Sequence, residues 1–239
     1  MSRFFVSKSQ IKGDHVTIMG GDANHISRVL RMKTGDGITV CDGRGNDFEA
    51  IITSAEKEAV SAKIIKSYRC DSEPDTDITL FQALPKQGKM EYIIQKNTEL
   101  GIMRIVPVYS KRCVSKPTDK LERWRRVALE AAKQCGRGIV PEVCETVSFN
   151  DALLQMTKLP VCAMFWEEER NLRIKDVFGN VKSNKIGILI GPEGGFEPDE
   201  AEYAKSLGIP TVSLGKRILR TETAGAAVVP IIMYLQSDI

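Results

Sequence analysis

At 239 residues the chain has room for one large or two modest domains. Its 42% apolar and 27% charged residues suit a globular chain with a real core rather than a disordered one. No apolar run is long enough to span a bilayer, and the start, MSRFFVSKSQIKGD, lacks the extended apolar stretch of a secretory signal.

Residues 1 to about 70 contain the short β-type runs RFFVS, HVTIM, GITVCDG, DFEAIITSA and VSAKIIKS, separated by Gly and Asp. Short strands joined by such turns predict a small antiparallel barrel or sandwich. One helix interrupts them: Asp22 is placed to N-cap ANHISRVLRM, and Gly35 follows its end. The polar, proline-containing CDSEPDT, 70–76, reads as a linker. Beyond it strands and helices alternate. ITLFQAL is a strand and EYIIQKNTEL a helix stopped by Gly101; RIVPVYS is a strand. LERWRRVALEAAKQC is an amphipathic helix with Leu121, Trp124, Ala128, Ala131 and Cys135 on one stripe. A helix near Asn150–Met156, strands VCAMF and IGILI, the helix PDEAEYAKSLG, a strand TVSL and a final helix from about Glu222 complete the series. Such alternation predicts an α/β half with a mostly parallel sheet covered by helices.

The six cysteines, at 41, 70, 113, 135, 144 and 162, form no C-x-x-C pair. No zinc site, other metal centre or redox dithiol is indicated, and reduced core thiols point to a cytoplasmic protein. The net charge is only +3, but residues 1–70 carry 11 basic against 8 acidic side chains, and Lys111 to Arg137 carries 9 against 3. Two local basic regions point to a polyanionic partner; a solvated helix face is the alternative.

The most informative segments are IGPEGGFEPDE, 190–200, and LGKRILRTETAGAA, 214–227. Each reads as the end of a strand, an irregular turn and a helix start, and open parallel sheets bind ligands beyond such strand ends. Gly191, Gly194 and Gly195 permit close backbone approach, with Phe196 placed to cover an edge of the pocket. No G-x-G-x-x-G or G-x-x-x-x-G-K-[ST] is present, ALPKQGK (83–89) being a poor substitute, and Glu193 between the glycines would repel a phosphate. The loop therefore suits a neutral or cationic ligand such as S-adenosylmethionine, with a strand-to-helix turn whose Glu faces water as the plain alternative. In the second segment Thr221 is placed as N-cap, Glu222 and Thr223 fall in the first turn, and Pro230 should kink the helix.

These two segments, with HISRVLRMKTGD (25–36), IIQKNTELG (93–101) and EAAKQCGR (130–137), resemble in order and over essentially the whole chain the bacterial ribosomal RNA small subunit methyltransferase E family. That resemblance implies a SPOUT-class enzyme that methylates N3 of a uridine in small-subunit ribosomal RNA with S-adenosylmethionine. It implies an N-terminal PUA-like β-barrel at 1–70 that binds RNA, a linker at 71–76, and a SPOUT α/β domain with a trefoil knot at 77–239 for cofactor binding and dimerisation. It also implies a homodimer, for which the apolar VVPIIMYL offers a face.

The expected cofactor residues are Leu189, Ile190, Gly191, Pro192, Glu193, Gly194 and Gly195 on the first loop. On the second they are Leu214, Gly215, Ile218, Leu219, Arg220, Thr223 and Ala224. N3 of uridine carries a proton at neutral pH, so a cation must favour its anion and a base must take the proton. Arg220 is the expected cation and Glu222 the expected base, with Glu193 second; a helix-dipole role for Glu222 is the alternative. N3 lies on the pairing edge, so the target base must be unpaired or flipped. His25, Arg28 and Arg31, and Arg123, Arg126 and Arg137, are the expected RNA contacts. A related SPOUT enzyme acting on transfer RNA or a ribose hydroxyl, and an RNA-binding protein without activity, remain the rival readings.

Overall fold

The computed structural model describes residues 3–86, 88–116, 119–181 and 183–239. It divides into two compact units, one comprising residues up to Glu73 with Ala132–Val140, the other Pro74–Ala131 with Pro141–Ile239.

The first unit is built on β1 (Arg3–Phe5), β2 (Ile11–Lys12), β3 (His15–Met19), β4 (Gly37–Cys41), β5 (Asn46–Ala55) and β6 (Ala59–Arg69). They form one sheet in the order β1-β4-β5-β6-β3-β2, antiparallel except for the β1–β4 pair. Alternate residues point into one core: Val16 and Ile18, Ile38 and Val40, Ala50 and Ile52, Val60 and Ala62. Two register shifts, at Glu49/Ala50 and Ile52/Ser54, bend the long β5–β6 ribbon, as bulges do. The helix between β3 and β4 differs from expectation. Its α-helical turn, α1 (Gly21–Asn24), is capped at Gly20 rather than Asp22, and it continues as a π-helical segment, His25–Val29. Ala23 and Ile26 reach the core, while His25, Arg28 and Arg31 are exposed.

The sheet's other face carries a buried polar cluster. Arg3 pairs with Asp47 at 2.6 Å and donates to the carbonyl of Gly136. Arg137, expected at an RNA-facing surface, is instead only 2% exposed. Its guanidinium donates to Glu73 at 2.8 and 3.1 Å, and the same carboxylate accepts the amides of Gly138 and Ile139 at 2.7 and 2.8 Å. A buried charge survives only with such complete pairing, and this is the reason the expectation fails. The segment 70–76 is therefore anchored through Glu73. Glu73→Ala should destabilise this unit by about 3 kcal/mol, because it strands a buried cation and two amides. Hydrogen exchange of β5 and β6 in the full chain reads the effect; unchanged protection contradicts it.

The second unit contains β7 (Asp77–Ala83), α2 (Lys89–Glu99), β8 (Arg104–Tyr109), α3 (Leu121–Cys135, whose last turn packs with the first unit), β9 (Glu142–Val143), β10 (Val147–Ser148), α4 (Phe149–Met156), β11 (Val161–Phe165), α5 (Ile174–Phe178), β12 (Lys185–Ile190), α6 (Pro198–Ser206), β13 (Thr211–Val212) and α7 (Thr221–Leu235). Its sheet runs β10-β8-β7-β12-β11-β13, with β9 beside β8, and every pair is parallel. Central strands buried on both faces are largely apolar, Thr79 and Gln82 of β7 being exceptions, and β12, KIGILI, is buried from Ile186 to Ile190. Phe196, expected at the pocket edge, packs fully buried against Phe149 in the core under α4 and α6. In α3 the stripe is seen: Trp124, Ala128 and Ala131 are buried, while Arg123 and Arg126 are exposed. Gly101, at φ 91°, ends α2 as expected. Pro230 lies within α7 without ending it. Among the described residues, no helix is long and apolar enough to cross a membrane.

Candidate functional site

β7, β12, β11 and β13 are neighbours in the sheet, and the loops leaving their carboxyl ends meet. Gly191–Glu197 follows β12, Trp166–Arg173 follows β11 and Ser213–Arg220 follows β13. Together with Lys89 they enclose a cleft of about 860 Å³.

Of the expected cofactor residues, Ile190 through Gly195 line the cleft, as do Leu214, Gly215, Ile218, Leu219, Arg220 and Ala224. Leu189 does not: its side chain is buried in the sheet core. Thr223 is exposed on α7 and outside the lining. Thr221, expected as N-cap, is the first residue of α7, with Arg220 in the capping position. Its buried hydroxyl donates to the carbonyl of Gly191 at 2.6 Å and accepts from Gln82 Nε2 at 2.9 Å. One side chain thus ties β7 and both loops together. Thr221→Val keeps the shape and removes both bonds. It leaves the Gly191 carbonyl without this donor and Gln82 Nε2 with only the Ala83 carbonyl, at about 1–3 kcal/mol, so ligand affinity in the cleft should fall about tenfold. Isothermal titration measures this; equal affinity means the tie is dispensable.

Gly195 has the clearest requirement for glycine. Its φ is 68°, and a Cβ there would lie 1.6 Å from Glu167 Oε1. The carboxylate of Glu167 fills the space that a side chain would take. The neighbouring Gly194 carbonyl accepts from Arg112 Nη1 at 2.8 Å, while Arg112 Nε and Nη2 grip Glu197 at 2.9 and 3.0 Å. A bidentate pair of this kind fixes direction as well as distance. The third loop is held by Glu169, which accepts from Thr211 Oγ1 at 2.6 Å and from the amides of Arg170 and Asn171 at 3.0 and 2.9 Å. The Thr211 bond, followed by these amides, pulls its pKa down to about 2.

Lys89, which sequence reading passed over, is central. Its ammonium lies 3.0 Å from Glu193 Oε1 and 3.0 Å from Glu222 Oε2. Glu193 also accepts the Lys86 amide through both oxygens at 3.1 Å. Lys89 is therefore held protonated, its pKa raised chiefly by Glu193 and then Glu222. Burial would raise both carboxylates, but the Lys89 contact together with backbone amides outweighs it and holds each below the usual range. Glu193 does not simply repel an anion, as its place among the glycines suggests, because Lys89 pairs with it. The cluster of one cation and two anions is net negative, and it faces a cleft also lined by Glu167. The acidic cluster favours positive charge at its own end of the cleft, while Arg170, Arg173, Lys216, Arg217 and Arg220 make the rest of the lining basic.

The expected RNA contacts fall on both units. His25, Arg28 and Arg31 lie together on the first. In the second, Arg123 is exposed but paired with Glu91 at 3.1 Å, and Arg126 is exposed.

Comparison with known proteins gives the following likenesses. Residues 72–233 match an RNA methyltransferase domain family, and residues 18–65 match an RNA methyltransferase PUA domain. The chain is 34% identical over 247 residues to ribosomal RNA small subunit methyltransferase E of Bacillus subtilis, covering 98% of this chain and 96% of the relative. It is 35% identical over 231 residues to the protein of the same name from Mesomycoplasma hyopneumoniae, covering 94% and 95%. Among solved structures it is similar to ribosomal RNA small subunit methyltransferase E from Neisseria gonorrhoeae bound to S-adenosyl methionine. The TM-score there is 0.87, at 32% identity and 98% coverage of each chain.

Proposed function

The chain belongs to the ribosomal RNA small subunit methyltransferase E family, and we propose that it methylates N3 of a uridine in small-subunit ribosomal RNA. The reaction class is that of the family: S-adenosylmethionine-dependent methylation of ribosomal RNA by an N-terminal PUA-like domain joined to an α/β methyltransferase domain. The observation that carries the reading is the cleft where two loops, predicted as a pair, face one another and are tied by Lys89 and Thr221.

The residues present fit the cofactor. Gly191, Gly194 and Gly195 give it backbone in the lining, Leu214 and Leu219 give apolar contact, and Glu167 and Glu193, the latter joined through Lys89 to Glu222 outside the lining, complement positive charge. When bound, S-adenosylmethionine supplies the methyl group as an electrophile. The protein's part is to produce a nucleophile and aim it. Arg220, exposed at the cap of α7 and lining the cleft, stabilises negative charge on the uracil ring as N3 loses its proton. Glu222, in the first turn of α7, is ionised and accepts that proton, directly or through water, with Glu193 as its neighbour across Lys89. Lys89 orients both carboxylates.

As the resemblance divides the chain, residues 1–70 form the RNA-binding PUA-like barrel, with His25, Arg28 and Arg31 as contacts, and 77–239 the SPOUT domain, joined by 71–76, although Glu73 and 132–140 group with the first unit. Arg123 and Arg126 add to the RNA surface. Family resemblance supports a trefoil knot around the cleft and a homodimer in the cytoplasm. Ile231 and Tyr234 on α7, 42% and 71% exposed, supply an apolar face for a second copy. The test is transfer of labelled methyl from S-adenosylmethionine to purified small-subunit ribosomal RNA, followed by nucleoside analysis. Label in 3-methyluridine is expected; label in a ribose 2′-O-methyl group or in no nucleoside contradicts the reading.

A further inference from the structure

The cations most available for RNA in the second unit are not those of α3. There, Arg123 is paired with Glu91 and Arg125 with Glu122, which among the described residues leaves Arg126 as a lone exposed cation rather than a cluster. The cleft mouth is different. Arg170 and Arg173 on the loop after β11, and Lys216 and Arg217 on the loop after β13, are exposed and line the cleft. Among the described residues, none of the four has an ion-pair partner; the Arg170 guanidinium donates to the carbonyls of Glu167 and Glu169. Four cations without acidic partners, drawn from two loops onto one rim, are costly in mutual repulsion unless a polyanion meets them. Ile218, beside Arg217, is 84% exposed in the same lining, which suits the face of a base rather than a phosphate.

We propose that Arg170, Arg173, Lys216 and Arg217 form a phosphate-tracking rim that holds the unpaired RNA strand on either side of the target nucleotide. The inference rests on the reading of the cleft as the methylation site and adds where the strand runs. Of the acidic groups nearby, Glu169 is met by Thr211 and Lys205, and Glu193 and Glu222 by Lys89, leaving Glu167 in the cleft lining and Glu168 exposed beside it. Binding by phosphate contacts releases counterions, so log Kd varies linearly with log salt, by about 0.7 per contact for a single strand.

The experiment compares the full chain with its Arg170→Gln/Arg173→Gln/Arg217→Gln variant. Binding of a single-stranded ribosomal RNA fragment is measured at several salt concentrations with S-adenosylmethionine saturating. The salt slope is expected to fall by about 2, with S-adenosylmethionine affinity within about twofold of wild type by titration. A slope equal to wild type overturns the rim, as does lost cofactor affinity with the slope intact. Failure of the wild-type protein to methylate any ribosomal RNA would instead refute the function on which the rim rests.

Discussion

Replacing Lys89 with methionine is expected to lower kcat/KM for ribosomal RNA methylation by about 100-fold, the scale of loss when reacting groups are displaced by about 1 Å. The two carboxylates that share the Lys89 ammonium, each 3.0 Å from it, belong to the loop after β12 and the first turn of α7. Without the cation they repel, and the loops lose the link at the cleft mouth; only the Thr221 tie remains. Lys89→Arg restores a cation and should recover much of the loss, which simple destabilisation would not. The pH profile separates the roles further. Glu193 and Glu222 are held below their ordinary pKa, partly by Lys89 and, for Glu222, by the charge of Arg220. The bridge is therefore complete above that ordinary value and dissolves only as pH falls through the lowered one. In the methionine variant the acid limb of kcat/KM should move to higher pH. An unshifted limb with an intact rate would remove Lys89 from the site.

Gly195→Ala should be the second large effect. Alanine at φ 68° pays the left-handed penalty of about 1–2 kcal/mol. Its Cβ also collides with Glu167 Oε1, which would lie 1.6 Å away, and the carboxylate must leave its place over the loop. Cofactor affinity is expected to fall about tenfold for each 1.4 kcal/mol of this strain that binding must restore. Removing the obstacle in Gly195→Ala/Glu167→Ala relieves the collision and leaves the backbone penalty. A double variant that binds better than Gly195→Ala alone supports this division; one that binds worse assigns Glu167 a direct contact instead.

Local sequence carried much of this site. Loops after apolar strands, glycines at 191, 194 and 195, and a helix start at 221 are near-neighbour signals, and they marked the two main walls of the cleft. What escaped depends on distance along the chain. Lys89 meets Glu222 133 residues away, and ALPKQGK has no pattern that announces a bridge, its Gln87 lying outside the described residues. Glu167, Arg170 and Arg173 sit in a charged stretch with no glycine or helical period, which looks like any solvated loop until β11 is placed between β12 and β13. Arg137 was misread for the same reason: a basic run gives its composition, but only packing of 132–140 with the first unit turns one of its arginines inward to Glu73. The strands of the first unit were legible from alternation and turns. The cap of the helix after β3 was not, because Gly20, at φ 67°, takes the position that Asp22 suits chemically.

Primer extension on small-subunit ribosomal RNA is the most direct measurement of the central claim. N3 methylation blocks base pairing and stops the polymerase. A stop is expected at one uridine in cells with the protein. It should vanish when the protein is deleted, return with the wild-type chain and stay absent with Lys89→Met. A stop that persists in the deletion strain contradicts the assigned function.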